Sequence, residues 1–556
     1  MPIRSKHADV VIPDVDTWTL LFERKNRPFR DDKVIFHDTI SPREYTYAHI
    51  KGSAIGFGQS LRSSWNWQKG DVLAIYSPND VDYATIVFGT HWAGGIVTTA
   101  NPGYTVDELA HQLVDSKAKA IVTQAPLLKT TLAAARKAGV RENRVILIGP
   151  DTIDTPVPHY TSLSGYRVYD ANQHVPRPYR INPNEDLCFL VYSSGTTGKP
   201  KGVMLSHRNI VSNVLMLTRP NEGYLSCGDG TTGSGDRTIG FLPLFHIYGL
   251  TGVLHYSLHQ GIELFILPTF TLSAFLNLVQ THRITYNNVV PRIILALAKD
   301  PSVANYDLSS LKMLVSAAAP LTKDLVDLLY DRLKIPVKQA FGLSETSPGT
   351  HQQEWDEWNV GIGSIGRPAP NVETKIVDVG NLSEVDPNEV GELWVRGPNV
   401  FKGYLNNEKA TREALTSDGW FRTGDVGYVD ERGLCFITDR IKELIKFNGF
   451  QVAPAELEGL LTSHPTIKDA AVIGVYSKEL ATELPRAYVV LDGGIDKSST
   501  TADEIATWLS ERVAKHKRLR GGVRFINAIP SSATGKILRR ELKVLAEKEG
   551  EAKAKL

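Results

Sequence analysis

From about Asp71 to Gly342, short apolar, β-branched runs alternate with stretches that carry apolar residues at helical spacing. The runs are "DVLAIYS", "KAIVTQ", "RVILIG", "DLCFLVYSS", "IELFILP" and "ITYNNVVP"; "LTKDLVDLLYDRL" is one of the helical stretches between them. Strands that alternate with helices predict largely parallel sheets with helices packed on their faces. After "GIGSIGRPAPNVETKIVD" the pattern changes to short strands and turns, such as "GELWVRGP" and "GYVDERGLCFITD", which predict a smaller β-rich subdomain. It changes again at "TDRIKELIKFNGFQVAPAELEGLL". There, "PAELEGLL" sets a proline before an acidic first turn and an apolar stripe, the signature of a helix start. Beyond it, "DAAVIGVYS", "PRAYVVLDG", "DEIATWLSERV" and "VRFINAIP" read as a small α/β unit of roughly 110 residues, an ordinary domain size.

The expected fold class is therefore α/β. A large N-terminal domain of parallel-rich sheets with packed helices and a β-rich subdomain is followed by a small C-terminal α/β domain. The boundary falls near Asp439, giving domains 1–439 and 440–556. Segment 221–236, "NEGYLSCGDGTTGSGD", reads as a long surface loop. The charged end "LAEKEGEAKAKL" reads as a fraying helix.

Composition narrows the function. A chain of 556 residues has room for more than one domain, and 42% hydrophobic with 22% charged residues is ordinary for a soluble globular protein. Lys plus Arg (62) balance Asp plus Glu (61), so no nucleic-acid footprint is expected. Cys188, Cys227 and Cys435 are far apart and odd in number, which argues against a disulfide framework or a zinc site and fits a reducing compartment. The start, "MPIRSKHADVVIPDVDTW", has no long apolar core, so no signal peptide is expected. The most apolar long stretch, "FLPLFHIYGLTGVLHYSLHQGIELFILP", carries histidines, a Gln and a Glu, so no transmembrane segment is expected. The final Ala554, Lys555 and Leu556 differ from the peroxisomal address S-K-L by one small-for-small change. A peroxisomal location through an import receptor is the expectation, with the cytoplasm otherwise.

The segment "VYSSGTTGKPKGVMLSHRN", Val191 to Asn209, raises the question of phosphate binding. The P-loop pattern G-x-x-x-x-G-K-[ST] fails at Ser193, where Gly is required, and at Pro200, where Ser or Thr is required. Phosphate can still be held. Gly195, Gly198 and Gly202 allow sharp turns that present backbone N–H groups, Ser193, Ser194, Thr196 and Thr197 add hydroxyl donors, and Lys199 and Lys201 add charge.

"YSSGTTGKPKGV" resembles the phosphate-binding loop of the adenylate-forming superfamily of acyl-CoA synthetases and AMP-dependent ligases. "QAFGLSET", "GWFRTGDVGYVDERGLCFITDR", "IKELIKFNGFQVAPAELE" and "PSSATGKILRRELK" follow in the family's order, so the resemblance covers nearly the whole chain. "FHIYGL", "VPRIILALAKDP" and "NGFQVAPAELE" resemble the 4-coumarate–CoA ligase branch most.

The resemblance implies that a carboxylate attacks the α-phosphate of ATP, giving acyl-AMP, and that the thiolate of coenzyme A then displaces AMP. The first step joins two anions. Unit charges about 4 Å apart interact by roughly 4 kcal/mol at an effective dielectric of about 20, so cations, Mg²⁺ among them, must offset the repulsion. By resemblance, Lys536 bridges the carboxylate and the α-phosphate, Glu345 is the Mg²⁺-linked carboxylate, and Ser344 stands where the family has Thr. Asp425 accepts the ribose hydroxyls, Arg440 is the ribose-contacting hinge residue, and Ala318, Gln339 and Ala340 form the adenine-side wall. His246 orients the substrate carboxylate, and Tyr248, Ala317, Ala340, Pro348 and Gly349 line the acyl pocket. Lys442 and Lys446, four apart, would share a face if helical. Lys446 serves the thioester-forming state, and Asn448 and Gly449 contact CoA, although relatives often carry Lys at 448. Lys446 and Lys536 flank opposite parts of the small domain, so a hinge rotation near Asp439 and Arg440 is expected to exchange them.

The pocket residues leave an aryl acid and a medium or long aliphatic acid both open. A luciferase-like oxygenase, a free-standing enzyme that loads a carrier protein and a nucleotide-binding scaffold without catalysis are the competing readings.

Overall fold

The computed structural model describes residues 2–150, 155–193, 200–228, 235–448, 450–477, 480, 482–532 and 535–554, the last five by their backbone. Its central sheet has six strands in the order Val145–Leu147, Ala118–Thr123, Val72–Tyr76, Ile96–Ala100, Leu187–Ser193 and Lys201–Ser206. All pairs are parallel except the last, where Ser193 faces Lys201 across an antiparallel ladder. Every residue of Val72–Tyr76 is buried, as a parallel strand covered on both faces requires. Helix Tyr47–Trp65, capped by the Thr46 hydroxyl on His49 N, packs against Asp82–Trp92. The two backbones approach so closely that a Cβ on Gly58 would lie 2.5 Å from the Trp92 ring.

Two further mixed sheets complete the α/β part. One runs Arg237–Gly240, Glu263–Ile266, Val34–Asp38 and Glu44–Thr46; the other runs Tyr286–Val289, Met313–Ser316, Val337–Gly342, Gly349–Gln352 and Arg367–Pro368. The expected β-rich subdomain is a five-stranded antiparallel sheet from Ile3–Arg4 through Glu373–Val377, Gly391–Arg396 and Phe421–Val429 to Cys435–Arg440.

The C-terminal part closes around its own core. The antiparallel pair Ile467–Ser477 and Thr482–Leu491 continues in parallel to Val523–Phe525. One face packs Val472, Ala487 and Val489 against Leu457, Leu461 and Leu509 of helices Pro454–Ser463 and Ser499–Ser510. The other packs Ile473 and Tyr488 against Leu542 and Ala546 of helix Arg539–Ala554. Arg539 forms an ion pair with Glu443 at 2.5 Å and a forked pair with both oxygens of Glu458 at 2.7 and 2.8 Å.

The small part touches the large one at several described points. Arg292 pairs with Asp469 at 2.6 Å, and Lys299 Nζ donates to the carbonyls of Thr462 (3.0 Å) and Ile467 (2.9 Å). A Cβ on Gly459 would sit 2.2 Å from Thr322 Cγ2, so the helices meet where a side chain is missing. All three cysteines are free and buried, and all precede residue 440.

One expectation is corrected. The described front of segment 221–236 is not a loose surface loop. Asn221 and Leu225 line a cleft, and Tyr224 stacks on Trp355 with ring centroids 5.0 Å apart. Its polar residues find partners inside: Asn221 Oδ1 accepts from Trp355 Nε1 at 2.7 Å.

Candidate active site

The cleft is built on three parallel strands, Tyr286–Val289, Met313–Ser316 and Val337–Gly342. Asn288 lies beside Val315, and Val315 beside Lys338. Side chains alternate between faces along a strand. Tyr286 and Asn288, then Val315 and Ala317, then Lys338, Ala340 and Gly342, therefore share the face that lines the cleft. The opposite wall comes from His246 and from Tyr248 and Gly252 in the π-helix Tyr248–His255, a wide turn of a kind frequent at functional sites. Pro348, Gly349, Trp355 and Leu217 close the sides, and Lys536 reaches in from the C-terminal part. The empty space, open mouth included, is about 880 Å³.

Tyr248 places its hydroxyl within reach of Asn288 Oδ1 (3.1 Å) and Val315 O (3.2 Å), and its backbone N–H donates to His246 Nδ1 at 3.3 Å. These contacts fix both rings against the cavity. Ala318, at the end of the middle strand, is held at φ +75°, the left-handed region a non-glycine residue avoids unless its surroundings hold it there.

Desolvation, with the Lys536 charge as second cause, pushes the His246 imidazole down to about 3, so it is neutral at physiological pH. The Lys536 ammonium is itself pushed down to about 8, first by desolvation and then by the Arg440 guanidinium, against the opposing pull of Asp425, Glu345 and Glu443. Lys536 thus shares one electrostatic environment with four of the residues singled out in the sequence.

Asp425 and Arg440 are cross-strand partners in the antiparallel sheet. Arg440 Nε donates to Asp425 Oδ1 at 2.9 Å, while Asp425 Oδ2 is buried with no hydrogen-bond partner among the described residues. Burial raises the Asp425 pKa, and Arg440 and Lys536 oppose the rise. Ser344 lines the cleft. Glu345 is buried beside it, and Tyr404 donates its hydroxyl to Glu345 Oε1 at 2.9 Å. Lys201 lies over the Tyr404 ring at 4.5 Å. Ser194, Gly195, Thr196, Thr197 and Gly198 lie outside the described residues, as do Gly449, Lys555 and Leu556.

Other expected residues stand elsewhere. Gln339 is out of phase with Lys338 and Ala340, so strand alternation sends it to the other side of its sheet. Its backbone N–H donates to Gln353 Oε1 at 2.8 Å. Lys442 and Lys446 do not share a helical face. Lys442 lies in a turn and Lys446 on the short strand Ile445–Phe447, because the β-rich "IKF" pairs with Phe450–Val452 as a hairpin. Both are exposed, and Asn448 stands at the hairpin turn at φ +47° with its N–H on Thr482 Oγ1 at 2.8 Å.

The inner end of the cleft escaped sequence reasoning: Leu217, Asn221, Tyr256, Tyr286, Lys338, Gln352 and Trp355 line it too. One signal was available. Lys338 in "IPVKQAF" puts a charge inside an otherwise apolar parallel strand, where side chains are normally buried.

Among the described residues, no helix is long and apolar enough to cross a membrane, and no group of three or more His, Cys, Asp or Glu could hold a metal. Residues 22–405 match the family model of the AMP-binding enzymes, and residues 456–536 match that of the AMP-binding enzyme C-terminal domain. Along 550 residues the chain is 38% identical to a probable 4-coumarate–CoA ligase of Dictyostelium discoideum, covering 97% of each. It is also 38% identical to 4-coumarate–CoA ligase 2 of Nicotiana tabacum, over 97% of this chain and 96% of that one. The crystal structure of ATP-bound MatB from Rhodopseudomonas palustris superposes with a TM-score of 0.82 at 27% identity, over 95% of this chain and 98% of the other. The chain belongs to the AMP-binding, adenylate-forming enzymes. Within that family it groups with the 4-coumarate–CoA ligases and is an ATP-dependent, AMP-forming acid–thiol ligase that works through an acyl-AMP.

Proposed function

We propose that the enzyme activates a hydrophobic, preferably aryl, carboxylic acid and transfers the acyl group to coenzyme A. The observation that supports this most is the union, in one cleft, of an aromatic and aliphatic cavity with the Lys536 ammonium and the neutral His246. Tyr248, Tyr256, Tyr286 and Trp355 supply flat apolar surface, and the relatives' names add weight to an aryl acid.

The hydrocarbon part of the acid would lie along Tyr248, Val315, Ala317 and Ala340, with its carboxylate at His246 and Lys536. An ammonium there offsets the repulsion between carboxylate and α-phosphate as the bond forms. Asp425 Oδ2 would accept a ribose hydroxyl, with Arg440 fixing the carboxylate. Ser193, Lys201 and the segment 194–198 would hold phosphate, and Ser344 would donate to it. Glu345 fits Mg²⁺, which takes one or two carboxylates alongside phosphate oxygens, and the Tyr404 hydroxyl orients it. Bound there, the ion would neutralise phosphate charge. The domain seam is placed near Asp439 and Arg440. Rotation there would withdraw Lys536 and bring the exposed hairpin with Lys446, Asn448 and Gly449 to the cleft for thioester formation.

The test is ATP–pyrophosphate exchange with a panel of acids, followed by mass detection of CoA thioesters. Exchange without thioester would overturn the second half-reaction, and no exchange with any acid would overturn the whole. For the cell, we propose import into peroxisomes through Ala554-Lys555-Leu556, with the cytoplasm as the alternative. Unchanged organelle targeting after deletion of Leu556 would refute it.

A further inference from the structure

Lys338 is 1% exposed and lines the inner end of the cleft. Its ammonium donates to Asn221 Oδ1 at 3.0 Å and to Gln352 Oε1 at 3.4 Å, and it lies 5.0 Å from the centre of the Trp355 ring. No described carboxylate is within ion-pair distance of it. The nearest acid acting on it, Glu354, binds the His7 ring at 3.0 and 3.1 Å. The other titratable groups around it carry no charge near neutrality. His351 is pushed down to about 3 by burial and bridges the Thr350 and Thr374 hydroxyls, and burial raises the pKa of Tyr256 and Tyr286. Burial also pushes Lys338 itself down to about 7, with Glu354 opposing.

A cavity made for hydrocarbon alone would not hold this residue, because a desolvated ammonium without a counter-charge is strongly unfavourable. A second donor stands beside it. Gln352 Nε2 is buried with no hydrogen-bond partner among the described residues, while its Oε1 is taken by Lys338. The inner end therefore has an excess of buried donors and a positive charge, and its nearest acceptors are already used. Lys338 and Gly342 share a face four residues apart, about 13 Å along the strand. Ser344 and Glu345 lie just past Gly342, so Lys338 stands at the end of the cavity away from the nucleotide side.

We infer that Lys338 is a specificity residue that binds a carboxylate at the far end of the substrate, so that the preferred acids are dicarboxylic. This rests on the acid-activating reading above and names the substrate class of the same cleft. A distal carboxylate supplies the missing counter-charge. The same carboxylate can accept from Gln352 Nε2.

The test measures kcat/KM for pyrophosphate exchange with the full-length enzyme and matched acids, plain monocarboxylic acids against α,ω-diacids through a length series. The diacid should be favoured over the plain acid of equal length by about tenfold or more at the length that reaches Lys338. Lys338→Met, close in shape and uncharged, should bring the ratio near one, chiefly by lowering kcat/KM for the diacid. Calorimetry of the favoured diacid in buffers of different ionisation enthalpy should show proton uptake near neutral pH in the native protein and none in K338M. Equal or better use of plain acids at every length overturns the inference, with or without a folded variant. So does a K338M that loses all acids in equal proportion. Absence of exchange with every acid fails the function proposal instead.

Discussion

Arg440 Nε holds Asp425 Oδ1 at 2.9 Å, and the second oxygen of the same carboxylate is buried and unbonded among the described residues. A buried acceptor without a donor is unfavourable unless a ligand completes it. Asp425→Ala should therefore raise KM for ATP by about 10- to 100-fold, the range for a lost hydrogen bond to a charged group. Deoxygenating the ribose should penalise the native enzyme and leave D425A unaffected. Equal penalties in both would remove the ribose contact.

Lys536 enters the cleft while Lys446 sits exposed on its hairpin. Lys536→Ala should lower acyl-AMP formation by about 10²- to 10³-fold, as loss of a group that stabilises transition-state charge does, and should still form thioester from supplied acyl-AMP. Lys446→Ala should do the reverse. Two variants with the same half-reaction profile would rule out alternation.

Lys536 titrates at about 8 in the absence of nucleotide, below the ordinary 10.5. Its charged form is complete well below that pH and is lost as the pH rises through it. Because kcat/KM for ATP reports the free enzyme, it should fall on an alkaline limb near pH 8, tenfold per pH unit beyond. Lys536→Arg, slower at its optimum, should lose this limb because a guanidinium stays charged. A limb unmoved in that variant belongs to another group.

Removing Arg539 strands Glu458, a buried carboxylate already raised to about 7 by desolvation. Arg539→Met should destabilise the C-terminal domain by about 3–5 kcal/mol, and replacing Glu458 by Leu as well should recover part of it. Denaturant-dependent hydrogen exchange of the backbone amides in Ile467–Ser477 and Thr482–Leu491 reads both. A loss under about 1 kcal/mol would mean the ions are solvated.

The half-exposed pair Arg292–Asp469 spans the two parts of the molecule. Arg292→Ala should lower acyl-AMP formation only a few-fold, since such pairs contribute about 0–1 kcal/mol, and should spare thioester formation. An equal fall in both half-reactions would mean that this contact does not favour one pose.

Period and punctuation made the architecture legible. "DVLAIYS", "KAIVTQ" and "DLCFLVYSS" are all strands of the central sheet, and "PAELEGLL" begins a helix. Resemblance to the family's motifs pointed to Asp425, Arg440, Glu345, Ser344, His246 and Lys536; the fold puts Ser344, His246 and Lys536 in the lining of one cleft, and the charges of Asp425, Arg440 and Glu345 act on Lys536. What stayed hidden depends on phase or long-range contact. Gln339 and Ala340 are neighbours in sequence yet face opposite ways, which only the strand register decides. Asn221 and Leu225 sit in a Gly/Ser-rich stretch with no periodicity, and partners over 100 residues away, such as Trp355, draw them inward. Lys446 shows the limit of spacing arguments: four residues apart means one face only on a helix.

The three thiols, Cys188, Cys227 and Cys435, are buried and unpaired, and the small domain has none. The folded native chain should therefore be nearly silent to maleimide dyes. One cysteine introduced on the solvent side of helix Ser499–Ser510 and another on the large domain could be labelled over that quiet background without first deleting the natural sulfurs. Fluorescence transfer between the two dyes could then time the swing as ATP, acid and CoA are added in turn.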